Sequence, residues 1–173
     1  QGTQTFPAQF MLVAAQNPCP CGNFGSLKDD CSCSPGAIIK YKRKISGPIL
    51  DRIDIHIETP AVEYEKLVGR EGESSKVIRP RVEQARERQR QRFTGRTILT
   101  NAEMSLRDLK ELIVIPAGLD SLLKTAHEKY QLSARAHHRI IKLSPTIADL
   151  AGSQDLQAEH LLEALQYRPK QEI

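Results

Sequence analysis

Four thiols in one short loop constrain this chain more than any other feature. Cys19, Cys21, Cys31 and Cys33 are spaced C-x-C-x9-C-x-C, within a stretch from Pro18 to Pro35 rich in Gly, Pro, Ser and Asp. Such a stretch has no apolar periodicity to make a helix or a strand, so whatever orders it comes from the thiols and the turns. Clustered thiolates suit a tetrahedral Zn²⁺ ion, and reducing compartments favour metal over disulfide. The alternative is a reduced or partly disulfide-bonded loop that holds no metal.

The loop lies between two apolar runs. Phe10-Met11-Leu12-Val13-Ala14-Ala15 is continuous and ends at Gln16-Asn17-Pro18, the pattern of a buried parallel strand. Ile53-Asp54-Ile55-His56-Ile57-Glu58 alternates, the pattern of a strand with one buried face. Between them, Gly36–Arg43 is expected to form a short helix, and Pro48 can start another that carries Leu50 and Arg52. Ligands of open parallel sheets bind beyond the carboxyl ends of the strands. Asn17 sits at such an end, where its amide can bind a phosphate oxygen or orient a water, or can simply begin a turn. Arg52 precedes the second run, where it can meet an anion or pair locally with Asp51 or Asp54.

After Gly69–Ser75, which reads as a linker, the period changes to 3.6. Val82–Arg92 reads as a charged helix. Ser105 caps a short helix through Leu106, Leu109 and Leu112. Leu119, Leu122, Leu123, Ala126 and Tyr130 form an amphipathic stripe. Ser133 caps a helix through Ala136, Ile140, Ile141 and Leu143, with Arg135 in its first turn. Leu156–Tyr167 forms the last helix. Arg135 opposes the helix dipole there, which suggests a polar duty, against the plain alternative of a solvated side chain. His137 and His138 read as surface or packing residues. Arg79, Arg81, Arg86, Arg88, Arg90, Arg92 and Arg96 can meet a phosphate backbone or, interleaved with Glu83 and Glu87, form a solvated face.

A net charge of +4 permits an anionic partner without requiring one. No run is long and apolar enough to span a membrane, and no secretory leader is visible. Gln1–Pro7 runs almost directly into the first apolar run, so the chain is expected to be a piece of a longer protein.

Together, Asn17-Pro18-Cys19-Pro20-Cys21-Gly22, Ile45-Ser46-Gly47-Pro48-Ile49-Leu50-Asp51-Arg52-Ile53-Asp54, Thr146-Ile147-Ala148-Asp149-Leu150 and Glu159-His160-Leu161 resemble the magnesium-chelatase-like AAA+ ATPases of the bacterial ComM/YifB type. The resemblance covers essentially the whole chain and is to the C-terminal part of that family. It implies an α/β plus all-α fold. Residues 1–73 would be the end of an AAA+ core with two parallel-sheet strands and a cysteine-rich insertion at about 18–35. Residues 74–173 would be a helical lid. It also implies roles: Asn17 as the sensor-1 residue near the γ-phosphate, Arg52 as an arginine finger reaching a neighbouring subunit's ATP, and Arg135 as the sensor-2 arginine of the lid.

Three positions depart from the family pattern: Lys44 in place of Arg, Pro80 within the expected first lid helix, and Ser144-Pro145, which is expected to interrupt the helix after Arg135. The resemblance implies a hexameric ring that uses ATP and Mg²⁺ to remodel DNA in recombination or transformation, in the cytoplasm. This chain has no G-x-x-x-x-G-K-[ST] loop and no apolar run ending in paired acids before Phe10, so it is not expected to hydrolyse ATP alone. The rival reading is a non-enzymatic zinc-knuckle module that binds nucleic acid or a protein partner.

Overall fold

The computed structural model describes residues 2–6, 8, 10–26, 29–59 and 72–169. The chain forms two compact units, Gln1–Ser46 and Gly47–Ile173. Residues 69–71 of the expected linker, Gly69–Ser75, lie outside the described residues, and its last residue, Ser75, already begins a helix.

In the first unit the cysteine loop is built from tight turns. The Gly22 amide donates to the Cys19 carbonyl at 3.1 Å and the Ser26 amide to the Asn23 carbonyl at 3.0 Å. Gly22 has φ +88°, a conformation that only glycine adopts at little cost. Helix α1, Pro35–Lys42, follows at once. Ser34 caps it by accepting from the Ala37 amide, and Pro35 takes the first helical position, where its missing N–H costs nothing.

The two expected strands are absent: the described residues are helical or irregular, with no strand. Phe10, Met11, Leu12 and Val13 are all well over half exposed, and Ile55 and Ile57 are exposed too. The physical reason is the ladder. A strand exists only when a second extended backbone accepts its hydrogen bonds. The two runs fall in different units, and among the described residues neither unit offers such a partner.

The second unit is a helical bundle. Helix α2 is Gly47–Leu50, α3 Ser75–Arg92, α4 Leu106–Leu112, α5 Ala117–Tyr130, α6 Ala134–Ala151 and α7 Ala158–Gln166, with a 3₁₀ turn at Asn101–Glu103 before α4. Ser105 caps α4 in a reciprocal box with Asp108, and Ser133 caps α6 by accepting from Ala136. Leu119, Leu123 and Ala126 of α5 pack with Ile140 and Ile147 of α6 and with Leu161, Ala164 and Leu165 of α7. A second cluster gathers Phe93, Met104, Leu109 and Ile141.

Two prolines sit inside helices. Helix α3 begins five residues ahead of Pro80, so the proline lies just past the first turn, where it removes a single helical hydrogen bond. Pro145 does not interrupt α6, which runs unbroken to Ala151. Pro145 is buried in a helix that places Ile140, Ile141, Ile147 and Ala148 in the core. Burial of that apolar face, roughly 1.5–3 kcal/mol per large side chain, outweighs a proline cost of about 3 kcal/mol.

A buried polar clasp fixes α3 to α6. Arg92 meets Asp149 through two contacts, at 2.6 and 2.8 Å. The Asn101 amide donates to Asp149 and to Thr146 Oγ1, both at 3.0 Å, and accepts from Arg92 at 2.7 Å. Arg88 donates to the carbonyls of Gly152 and Ser153, both at 2.7 Å, which caps the end of α6. Arg96 pairs with Asp108 and Glu111 of α4, at 2.8 and 3.1 Å, so at least three arginines of the basic run serve the bundle.

Candidate functional site

In the first unit the four cysteines converge. Cys19 and Cys21 sulfurs are 3.3 Å apart, Cys19 and Cys31 3.7 Å, and Cys21 and Cys31 3.6 Å. All four Sγ atoms lie within 4.8 Å of one another, and all four thiols are free. A disulfide needs about 2.05 Å. Four thiolates around one Zn²⁺ at about 2.3 Å would lie roughly 3.8 Å apart, so this donor set fits a structural zinc site.

The thiols are also unequal in acidity. Cys21 is held down to about 6, chiefly by the Asn23 backbone N–H and then by the Cys19 thiol. The Cys33 backbone N–H pulls Cys31 down, but burial and the neighbouring sulfurs outweigh it and push Cys31 up to about 12. The cluster is thus part thiolate and part thiol, and a bound cation would complete its deprotonation. Among the described residues it is the one grouping with metal-holding proximity. Asn17 belongs to the same unit, is exposed, and its Nδ2 lies beside Gly22.

The second unit brings Arg52 and Arg135 together. Both line one open depression of about 410 Å³, with Asp51, Asp54, His138, Arg139 and Lys142. Four permanent cations there outweigh two carboxylates, so the depression favours an approaching anion. Arg135, His138, Arg139 and Lys142 recur at the i, i+3, i+4, i+7 spacing of one face of α6. That spacing was legible and would have found His138, Arg139 and Lys142, which reading Arg135 alone missed.

Arg52 is exposed and donates from Nη1 to the Pro48 carbonyl at 2.6 Å, not to Asp51 or Asp54. His137 turns away, its ring edge-to-face with His127 at 6.2 Å and with His138 at 5.7 Å between centroids. Burial, with the charges of His138 and His127 behind it, holds His137 below the usual imidazole range. Lys44, the departure from Arg, lies 5.7 Å over the Tyr41 ring.

The sequence matches the family described as magnesium chelatase, subunit ChlI, over residues 1–67, and the C-terminal part of that subunit over residues 72–168. The chain belongs to the magnesium chelatase ChlI family. Within that family its relatives are of the ComM/YifB type. It is 41% identical over 165 residues to the competence protein ComM of Haemophilus influenzae, covering 94% of this chain and 31% of that protein. It is 34% identical over 168 residues to YifB of Escherichia coli, an uncharacterised protein, covering 95% of this chain and 32% of YifB. An uncharacterised protein of Mycobacterium tuberculosis is 34% identical over 167 residues, covering 96% of this chain and 33% of the relative. This ChlI-family chain therefore spans about a third of the length of the curated relatives it matches. Among its described residues no helix is long and apolar enough to cross a membrane.

Proposed function

We propose that this chain supplies the charge-neutralising arginines of a ComM/YifB-type ATPase whose motor activity remodels DNA. The observation that carries the reading is the shared depression: Arg52 and Arg135, far apart in sequence, open onto one cationic surface of one unit. Phosphoryl transfer is catalysed mainly by positioning and by stabilising charge on the transferred group, so arginines presented on an open cationic surface suit that chemistry. Arg52 is assigned to the phosphates of a neighbouring copy's nucleotide, as an arginine finger, and Arg135 to the nucleotide bound by its own copy. Asn17 is assigned to orient a water or phosphate oxygen, as its residue type allows. ATP with Mg²⁺ supplies the transferable phosphoryl group when bound, in a ring of several copies. The similarity to a competence protein supports DNA as the substrate of the motor.

The test is the protein extended to the length of its relatives. Arg52→Ala is expected to lower ATPase by roughly 10³–10⁵ while nucleotide binding stays nearly intact, because an arginine finger acts on transition-state charge. Arg135→Ala is expected to weaken binding and turnover together. Full ATPase in Arg52→Ala would overturn the assignment.

The thiol cluster favours a second reading, a zinc knuckle that binds nucleic acid without chemistry. It predicts that Cys→Ser substitution abolishes nucleic-acid binding by the 173-residue chain itself.

A further inference from the structure

Arg139 lies one turn beyond Arg135 on α6 and behaves in the opposite way. Arg135 is exposed, whereas Arg139 retains only 8% of its exposure. A buried guanidinium is costly unless its N–H groups are met. Both described partners of Arg139 are backbone carbonyls: Nη1 donates to Asp51 at 3.2 Å and to Ile53 at 2.5 Å. These are the residues on either side of Arg52. Hydrogen bonds from a charged donor are roughly twice as strong as neutral ones, so the grip is firm for its size.

The same turn has further anchors. The Asp51, Arg52 and Ile53 amides donate to the carbonyls of Gly47, Ile49 and Leu50 at 2.8, 2.9 and 3.1 Å. His56 donates from its backbone to the Tyr167 carbonyl at 2.9 Å, at the end of α7, and its ring Nε2 lies 3.2 Å from the Leu50 carbonyl. The backbone at Arg52 is therefore gripped by two helices. Its side chain has only an exposed contact with the Pro48 carbonyl to give up.

We propose that Arg139 is the positioning residue for Arg52. By gripping the carbonyls on both sides of Arg52 it fixes where that guanidinium leaves the surface relative to Arg135. It also joins the arginine turn to α6, so that a movement of α6 carries both arginines. The inference rests on the role proposed above for Arg52. Arg139 is assigned no contact with the anion: it is buried and its Nη1 is engaged by the two carbonyls, although its charge still adds to the field of the depression.

The test pairs kinetics with exchange. In the protein extended to the length of its relatives, Arg139→Gln is expected to lower kcat for ATP about 10–100-fold, the cost of misplacing a group by roughly 1 Å, with KM within about twofold. The double variant Arg52→Ala/Arg139→Gln is expected to match Arg52→Ala alone, because a positioning residue has nothing left to position. In the 173-residue chain, Arg139→Gln is expected to speed amide exchange at Arg52, Ile53 and His56 about tenfold or more, with α3 and α5 amides unchanged. If that variant does not fold, Arg139→Met, which keeps an unbranched side chain in the packed site but has no donor, is held to the same outcomes. Unchanged kcat or unchanged exchange at the turn in a folded variant overturns the proposal, as do additive effects in the double variant. Full ATPase in Arg52→Ala overturns the reading of Arg52 instead, and leaves the exchange result to decide the grip.

Discussion

Asp149→Ala is expected to be among the most damaging single changes in the helical unit. Asp149 lies in the last turn of α6, where a carboxylate opposes the helix dipole, so its position is explained by its partners and not by the helix. Its side chain is 1% exposed and that of Arg92 23%. Removing one partner of a buried pair costs about 3–5 kcal/mol, mostly because the other charge is left unmet. Arg92 can still reach water at one edge, which places the expected cost near the lower bound, about 3 kcal/mol. The Asn101 amide loses an acceptor but keeps Thr146, so it adds little. For a unit of this size, about 3 kcal/mol lowers Tm by roughly 10–15 °C. Urea unfolding followed by circular dichroism measures the cost directly, with m unchanged if only stability moves. The pair Arg92→Met with Asp149→Leu, which removes both charges, is expected to recover at least half of the loss. A cost of under about 1 kcal/mol for Asp149→Ala at constant m would refute the account, since Arg92 would then have lost both carboxylate contacts almost without cost, keeping only the Asn101 acceptor and its edge to water.

Zinc affinity of the thiol cluster is expected to fall about tenfold or more per unit as pH drops from 7 to 6, because at least the Cys31 thiol, pushed up to about 12, must release a proton to the metal. Competition titration with a chromophoric chelator reads this, and a pH-independent affinity would show that the cysteines are not the ligands. Stability of the helical unit is expected to decline as pH falls through the ordinary histidine range. His137 is held below that range by burial, so the unfolded chain takes up the proton first and stability rises with pH. His137→Phe is expected to flatten that dependence between pH 7 and 5, measured by urea midpoints; an unchanged slope would place its origin elsewhere.

The helices were legible where two local signals agreed. Leu119 through Tyr130 had both period and length, and Ser105 and Ser133 marked their starts by a side chain that the helix itself needs. The extent of α6 was not legible, because Pro145 is a local penalty while the burial that overrides it is a property of the packed bundle. The strands were misread for a related reason. An apolar run such as Phe10–Ala15 states a demand for burial, but says nothing about whether a second backbone is there to form the ladder. At the candidate site, Arg52 and Arg135 stood out by residue type. That they share one depression was invisible, since nothing local links two positions so far apart. The helical spacing places Arg139 on the cationic face of α6, but its grip on the arginine turn is not legible there: it looks like one more solvated charge, and only its burial separates it from its neighbours.

The grip on the arginine turn spans 86 residues of chain from Ile53 to Arg139. Closing a loop of that length costs about 4 kcal/mol in chain entropy, which offsets most of the roughly 3–6 kcal/mol that two hydrogen bonds from a charged donor return. The contact therefore waits for α5, α6 and α7 to build a surface worth docking on. During synthesis at about 5–20 residues per second, Ile53 is made roughly 4–17 s before Arg139 exists. For that interval Arg52 is a cation on an undocked segment. The part of the unit that is translated first is thus the part whose position is decided only after the helices it docks on exist.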